Sequence, residues 1–304
     1  MRTIIIKYKM LYDIYMKPVL TNVLALRNKH LRDENIQFFE DGHKYVIKTD
    51  ENSKYTSVTT WNHSHFPHFN ADEIINKMMK GKNWKEGHKY WGMTPEQIKT
   101  GWDSNRDSVS GAGTDMHFEI ECFMNDTRIV CEYTHKELYQ IYNCDYIKKN
   151  KHDTKSLEWK YFIEFVKDNP ELKPYRTEWT IFHEELKLAG SIDMIYENPD
   201  GTLAIYDWKR SKDITRINNF NKYALTESIC HMPDSNFWHY ALQLNTYKAI
   251  LEDKYDKKIT DLYLVRLHPD NEEKTYELIK VPILSKEISD LFEERLKQIA
   301  NENA

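Results

Sequence analysis

Glycine is scarce in this chain of 304 residues: there are 9 glycines and 9 prolines. Each glycine therefore marks a position worth locating, because glycine usually makes up about 7% of a protein. Long hydrophobic runs are also missing, since no stretch approaches the ~20 apolar residues of a membrane span. The 40% hydrophobic content is enough for a full core and excludes intrinsic disorder. We expect a protein without membrane association.

Cysteine is limited to Cys122, Cys131, Cys144 and Cys230, and no two of them form a CxxC pair. This spacing fits neither a zinc ribbon nor a disulfide framework. The cysteine pattern therefore predicts an intracellular protein in a reducing compartment.

An excess of positive charge is absent too, because 43 Lys and Arg stand against 48 Asp and Glu. The net charge of −5 excludes a protein that coats nucleic acid by bulk attraction, so any nucleic-acid site must be local. The first 33 residues carry seven Lys or Arg and two Asp. We interpret residues 1–35 as a basic N-terminal extension, and mitochondrial targeting stays open as an alternative.

The order of predicted elements suggests one domain over residues 36–304. IQFFEDGHKYVIK (36–48) predicts a hairpin, and Ser57 is placed to cap a helix that begins with SVTTW. Residues 70–110 are predicted to be helical. Gly111 and Gly113 are expected to end this helical segment before a new helix over 113–124, and a further helical block follows to about 169. The region of about 70–170 is therefore a helical insertion. Strands are predicted over 176–185, 186–197, 202–210, 261–269 and 276–283, and helices over 237–253 and 286–300.

Acidic residues and one lysine come together around the turn at 198–201. Asp207 and Lys209 alternate along one strand and share a face. Asp193 precedes the turn, so the antiparallel pairing puts it opposite Asp207 or one step diagonal to it. Two carboxylates this close repel each other unless a cation bridges them, and Mg²⁺ or Mn²⁺ fits oxygen ligands. Taken alone, however, this pattern is also typical of an ordinary surface ion pair.

The chain resembles the PD-(D/E)XK nuclease superfamily in its ordered motifs GTDMH, TEW, GSID, DWK and QLNTY. The resemblance covers about residues 113–268 and is to the RecB-like exonuclease branch, which includes Cas4-type and mitochondrial genome-maintenance exonucleases. SVTTW is similar to an opening seen in phage-type members, and the Lys-, Asn-, Ile- and Tyr-rich composition hints at a viral or phage source. The resemblance implies an α/β (α+β) fold with a restriction-endonuclease-like core, in which a central mixed sheet is flanked by helices.

The same resemblance implies a role for each matching residue. His117, Asp193, Asp207 and the Trp208 carbonyl would ligate the metal, and Lys209 would position or deprotonate the attacking water. Glu178 would hold a second metal ion or the water. Gln243 and Tyr247, one helical turn apart, would contact the substrate phosphate and support the lysine. Glu121 is expected to lie behind these ligands and not to bind the metal itself. Considered alone, a residue such as His117 is more often a core histidine, and Gln243 and Tyr247 could be half-buried helix residues.

Two local patches are candidates for DNA binding. Residues 77–91 carry five lysines and one glutamate, interleaved with aromatic residues; Lys82, Lys85 and Trp84 could hold a single strand. Aromatic residues turned into the core are the alternative. Arg210 and Lys212 belong to a second patch beside the proposed metal.

The expected function is a DNA nuclease that needs Mg²⁺ or Mn²⁺, most simply an exonuclease acting on DNA ends or single-stranded flaps in recombination, repair or replication. The resemblance implies 5′-phosphate and 3′-hydroxyl products. An iron-sulfur cluster is not expected, because three of the four cysteines lie together after the first motif. The sequence has no GxxxxGK[ST] motor motif, so the nuclease is either free-standing or uses the motor of a partner, and replication or recombination proteins are the candidate partners. A structure-selective endonuclease and a non-catalytic DNA-binding or assembly module remain as alternatives.

Overall fold

The computed structural model describes residues 22–129, 131–148 and 155–302. Most of the basic N-terminal extension lies outside the described residues. The strands are β1 Ile36–Phe39, β2 Lys44–Ile47, β3 Thr56–Ser57, β4 Lys173–His183, β5 Leu188–Glu197, β6 Leu203–Lys209, β7 Ile259–Arg266 and β8 Glu277–Lys280. The α-helices are α1 Val23–Arg27, α2 Val58–Ser64, α3 Ala71–Met79, α4 Pro95–Met124, α5 His135–Lys148, α6 Leu157–Asp168, α7 Asn236–Lys254 and α8 Ser285–Glu302.

A six-stranded mixed sheet carries the central part of the fold. β5 is antiparallel to β4 and to β6, whereas β3 pairs with it in parallel. β6 and β7 are parallel, as expected for strands joined by a crossover helix, here α7, and β8 closes the sheet antiparallel to β7. The predicted α/β fold with a central mixed sheet is confirmed.

The sheet separates two hydrophobic cores. In β6, Leu203 and Ile205 face the core with α2, α7 and α8, while Tyr206 and Trp208 face the core with α4 and α6. Because helices cover both faces, β6 is apolar almost throughout instead of alternating. The alternation puts Asp207 and Lys209 on the α7 side of the sheet.

Short-range sequence signals predicted most element boundaries well. The hairpin of β1 and β2 forms as predicted, and Ser57 Oγ accepts a hydrogen bond from the Thr60 N–H at 3.0 Å at the start of α2. The turn between β5 and β6 closes with the Gly201 N–H bonded to the Asn198 carbonyl at 2.9 Å, and Gly201 has a φ of 79°. Only glycine adopts this left-handed conformation freely.

The predicted helix break at Gly111 and Gly113 is wrong. α4 continues through both glycines, from Pro95 to Met124. A Thr94–Gln97 capping box fixes the start of the helix, and the buried side chains of Met116, Ile120 and Met124 anchor its second half. These contacts offset the cost of about 1 kcal/mol for each glycine in a helix. The real interruption comes earlier, at residues 80–94, where turns replace the predicted helix.

Helices α3 to α6 all fall within the region of about 70–170 that was expected to be helical. That this region is an insertion into the nuclease domain stays a prediction. Residues 22–35 pack on the body of the protein, since the buried Leu24 donates its N–H to Asn125 Oδ1 at 3.0 Å. Of the helices in the described ranges, none combines the length and the apolar character that a membrane crossing requires.

Candidate active site

Three potential metal ligands converge between α4, β4 and β5. His117 Nδ1 lies 3.6 Å from Glu178 Oε1 and 3.6 Å from Asp193 Oδ2. One ligand atom from each of the three side chains lies within 4.8 Å of the other two. Glu178 and Asp193 are brought together by the antiparallel pairing of β4 with β5. His117 lies 61 positions before Glu178 in the sequence, and the packing of α4 against the sheet brings it to them.

The backbone of Trp208 orients two of these side chains. The β5–β6 ladder ends at the pair Met194 and Tyr206, and beyond it the Trp208 N–H donates to Asp193 Oδ2 at 3.0 Å. The Trp208 carbonyl lies 3.0 Å from His117 Nε2, which donates to it. The imidazole therefore presents Nδ1 to the carboxylates. The carbonyl of Trp208, predicted as a metal ligand, thus lies next to the three ligand side chains and accepts a hydrogen bond from His117 Nε2.

Glu178 is held in an unusual backbone conformation. Its φ of 44° is in the left-handed region, which costs a non-glycine residue on the order of 1 kcal/mol. Paired residues on both sides, Thr177 with Met194 and Trp179 with Ile192, keep the strand in register around it. Ser191 Oγ donates to Glu178 Oε2 at 3.1 Å, so Oε1 is left to face His117. Such strain maintained by a surrounding sheet is typical of functional sites.

Asp207 and Lys209 lie next to this group. The β5–β6 ladder stops at Met194 and Tyr206, one residue short of the two aspartates, and Asp193 Oδ2 accepts the Trp208 N–H instead. Asp207 is almost completely buried, and its Oδ2 lies 2.5 Å from Lys209 Nζ. Asp207 was predicted as a metal ligand, but in this structure its carboxylate pairs with the lysine.

Gln243 and Tyr247 lie on one face of α7, as their spacing predicted. Gln243 Nε2 donates to the Tyr247 hydroxyl at 3.2 Å. The Tyr247 ring is buried directly over Gly190, where an added Cβ would lie 2.7 Å from Tyr247 Cε1. The ring can approach the backbone of β5 this closely because residue 190 has no side chain. Glycine at 190 therefore allows α7 to sit close to β5.

The electrostatics of the site reflect burial and mutual proximity. Burial disfavours the charged imidazolium, but Asp193 and Glu178 outweigh it and raise the pKa of His117 to about 9. Burial and the nearby Asp193 raise the pKa of Asp207 to about 6 although Lys209 opposes this. Burial also raises the pKa of Asp193. For Lys209, burial is outweighed by Asp207 and Asp193, and its pKa lies above the ordinary value.

An open cleft of about 750 Å³ leads to the site. Its walls include His117, Trp208 and Lys209, together with the predicted DNA-binding residues Arg210 and Lys212. Arg210 is held in the wall, because its Nε donates to Glu158 Oε1 of α6 at 2.7 Å. Lys212 is exposed at the rim.

The other predicted DNA-binding residues lie in the turns at 80–94. Lys82 and Lys85 are exposed, and Trp84 is half-buried with its ring 5.8 Å from the Trp91 ring. Trp91 itself is 48% exposed. The aromatic residues of this segment are thus not all turned into the core.

Two residues of the site were missed or undervalued from the sequence. Lys209 Nζ lies 4.5 Å above the centre of the Tyr240 ring, and Tyr240 also lines the cleft. Its position one helical turn before Gln243 was an available signal. Glu121, placed only behind the ligands, has its pKa raised to about 7 by burial and by the charge of Glu178.

The donor set fits a hard divalent cation. Two carboxylates and one imidazole nitrogen lie close enough to share an ion, and carboxylate oxygens suit Mg²⁺ and Mn²⁺. Without a cation the carboxylates are balanced by the His117 imidazolium, which explains the direction of its pKa shift.

We expect the stability of the metal-free protein to depend on pH through His117. Because the pKa is raised from 6.5 to about 9, the stabilising contribution is complete below pH 6.5 and is lost as the pH rises through about 9. Urea unfolding in EDTA should show this as a difference in unfolding free energy between wild type and His117→Gln that shrinks with increasing pH. A difference that stays constant from pH 6 to pH 9.5 would contradict the proposed charge pairing.

A comparison with known protein families gives the class to which the chain belongs. A family profile described as the PD-(D/E)XK nuclease superfamily matches residues 125–304, more than half of the chain. The chain therefore belongs to the PD-(D/E)XK nuclease superfamily, and it is a nuclease, a phosphodiester hydrolase with DNA as its substrate.

Among solved structures, the chain is similar to the crystal structure of a protein from Eubacterium rectale named as a candidate exonuclease. The identity is 13% and the TM-score is 0.36, over 87% of this chain and 85% of the other. No curated protein matches the chain.

Proposed function

We propose that this nuclease is a divalent-metal-dependent deoxyribonuclease of the exonuclease type, acting on DNA ends or single-stranded flaps in recombination, repair or replication. The observation that carries the proposal is the convergence of His117, Glu178 and Asp193 beside the Asp207–Lys209 ion pair, at the wall of an open cleft. An intracellular reducing compartment and partner proteins of replication or recombination belong to the same proposal.

His117, Glu178 and Asp193 are the residues that would hold Mg²⁺ or Mn²⁺, and the resemblance adds Asp207 and the Trp208 carbonyl. When bound, such an ion supplies Lewis-acid stabilisation of the charge that develops on the phosphodiester oxygens. The preorganised partners of the ligands support this assignment. Trp208 and Ser191 hold the Asp193 and Glu178 carboxylates by hydrogen bonds, so little reorganisation is needed before the reaction.

Lys209 acts in this proposal as a cation. Its raised pKa favours an ammonium over a free base at neutral pH, so it orients the attacking water and offsets charge on the transition state. This favours positioning over proton abstraction, the two roles that the resemblance left open. The Tyr240 ring contacts the ammonium and helps to hold its position. Gln243 and Tyr247, hydrogen-bonded to each other on α7, belong to the proposal as contacts of the substrate phosphate and supports of the lysine.

DNA contacts are proposed for Lys82, Lys85, Trp84, Arg210 and Lys212. The first three carry exposed charge and aromatic surface on one segment, the combination that holds single strands. Lys212 is free to reach a phosphate at the cleft rim, whereas Arg210 contributes positive charge from within the wall.

The direct test is the degradation of end-labelled linear DNA and of circular single-stranded DNA with Mg²⁺ or Mn²⁺. An exonuclease degrades the linear DNA and spares the circle, and EDTA stops the reaction. Equal rates on both substrates would instead establish the structure-selective endonuclease. A protein that binds DNA but degrades neither substrate would be the non-catalytic module, although the complete set of Asp193, Asp207 and Lys209 disfavours that outcome.

A further inference from the structure

A loop directly after the catalytic strand exposes several large apolar side chains. We call residues 213–225, between β6 and α7, the Phe220 loop. Phe220 is 82% exposed, Ile217 68%, Leu225 67% and Tyr223 47%. Exposed apolar groups clustered on one short segment are uncommon on a monomer and mark a contact site.

The tip of the Phe220 loop has a defined conformation. Asn218 Oδ1 accepts hydrogen bonds from the Phe220 N–H at 2.7 Å and from the Lys222 N–H at 3.4 Å. Asn221 completes the turn with a φ of 50°, in the left-handed region that asparagine tolerates better than most residues. The turn therefore fixes the backbone that carries Phe220 while its ring stays in solvent.

The loop is also attached firmly to the first turn of α7. The Thr215 N–H donates to Asn236 Oδ1 at 2.9 Å, and Trp238 Nε1 donates to the Arg216 carbonyl at 3.0 Å. Tyr240, two residues after Trp238 on this helix, is the residue whose ring contacts Lys209. The loop and the catalytic lysine are thus supported by the same end of α7.

The position and charge of the loop indicate what it contacts. Lys212, immediately before it, lines the cleft together with Lys209. Residues 212–225 contain three cations, Lys212, Arg216 and Lys222, against the single carboxylate of Asp213. Apolar side chains flanked by cations, on the segment that directly follows a cleft residue of a nuclease, match a nucleic-acid strand better than a protein surface, because interface cores are depleted of lysine.

We propose that Phe220 stacks on an unpaired base of the DNA strand that enters the cleft, with Lys212 and Lys222 on the neighbouring phosphates. The inference rests on the proposed function and adds a base-contacting residue that selects single-stranded DNA over paired DNA. An aromatic ring stacks on any base, so this contact has little sequence preference.

The first test is the affinity of Phe220→Ala for a fluorescent single-stranded oligonucleotide, measured by anisotropy in EDTA so that hydrolysis plays no part. We expect binding to weaken by about 5- to 150-fold, the range for the loss of one stacked base. Phe220→Trp should keep wild-type affinity within about threefold. Because Phe220 makes little contact with the core, both variants should fold, which circular dichroism checks.

Leu296→Ala is the matched control. Leu296 is 44% exposed on α8. The neighbouring Arg295 donates to the carbonyl of Leu186. Glu185, next to Leu186, pairs with Lys254 at the far end of α7, so Leu296 lies towards the end of α7 opposite to the Phe220 loop. This variant removes exposed apolar surface away from the Phe220 loop and should bind DNA like wild type. Equal weakening by Leu296→Ala and Phe220→Ala would overturn the proposal.

A scan of oligonucleotides with one abasic site identifies the stacked base. One abasic position should weaken wild-type binding by about the factor seen for Phe220→Ala, and it should have no further effect on that variant. Unchanged affinity of Phe220→Ala would overturn the inference even if the protein degrades DNA. The inference would also fail if Phe220→Ala lost self-association of the protein while its DNA binding stayed intact. If the abasic pattern appears without any DNA degradation, the base contact stands and the proposed catalytic function fails.

Discussion

Asp193→Asn should lower the rate of DNA cleavage by at least about 10³-fold. Asp193 is the central residue of the site, since its Oδ2 accepts the Trp208 N–H and lies 3.6 Å from His117 Nδ1. Asparagine keeps the shape of the side chain and can still accept that hydrogen bond. The substitution thus removes mainly the negative charge, which a divalent cation requires and which the raised pKa of His117 reports.

The measurement is the initial rate on end-labelled linear DNA with saturating Mg²⁺, together with a calorimetric titration with Mn²⁺. Asp115→Asn is the control, because Asp115 is exposed and lies two residues before His117, on the other side of α4. It should cleave DNA at the wild-type rate. Cleavage and Mn²⁺ binding that survive in Asp193→Asn would refute the assignment of the centre.

Lys209→Met should have two separable effects, a rate of cleavage lowered by about 10³-fold and a reduced stability. Lys209 Nζ lies 2.5 Å from Oδ2 of the buried Asp207, so removing the ammonium leaves a carboxylate without its partner in the protein interior. Breaking a buried pair in this way costs about 3–5 kcal/mol of unfolding free energy. The cost should be smaller at acid pH, because the pKa of Asp207 is already raised to about 6 and protonation removes the charge.

The double variant Lys209→Met with Asp207→Asn separates the two effects. It has no unpaired buried charge, so urea unfolding in EDTA should show most of the lost stability regained, whereas DNA cleavage should stay as low as in the single variant. Recovery of cleavage together with stability would mean that neither Lys209 nor Asp207, a further metal ligand implied by the resemblance, takes part in the reaction.

Local signals in the sequence were enough for the elements that carry the site. Period-2 alternation placed Asp207 and Lys209 on one face, and the turn chemistry of residues 198–201 predicted the antiparallel pairing of β5 with β6 that brings Asp193 near Asp207. Helical spacing placed Gln243 and Tyr247 on one face of α7. These features follow from the backbone geometry of a few neighbouring residues and do not depend on contacts with distant segments.

Other features depend on contacts between distant segments. Gly111 and Gly113 weaken a helix locally, yet α4 runs through them because its buried second half packs against α6 and the sheet. The propensity of two residues is worth only about 2 kcal/mol, which such packing exceeds. The left-handed conformation of Glu178 has no signal in its neighbours, since the strand on either side imposes it.

The sequence by itself therefore determined the order of the elements, the faces of the motif residues and the family resemblance, because each depends on local periodicity or on residue identity. The tertiary structure decided which side chains meet. It groups His117 with Glu178 and Asp193 and holds Arg210 against Glu158. Such pairings depend on how helices from distant parts of the chain pack on the sheet, and no local pattern encodes that packing.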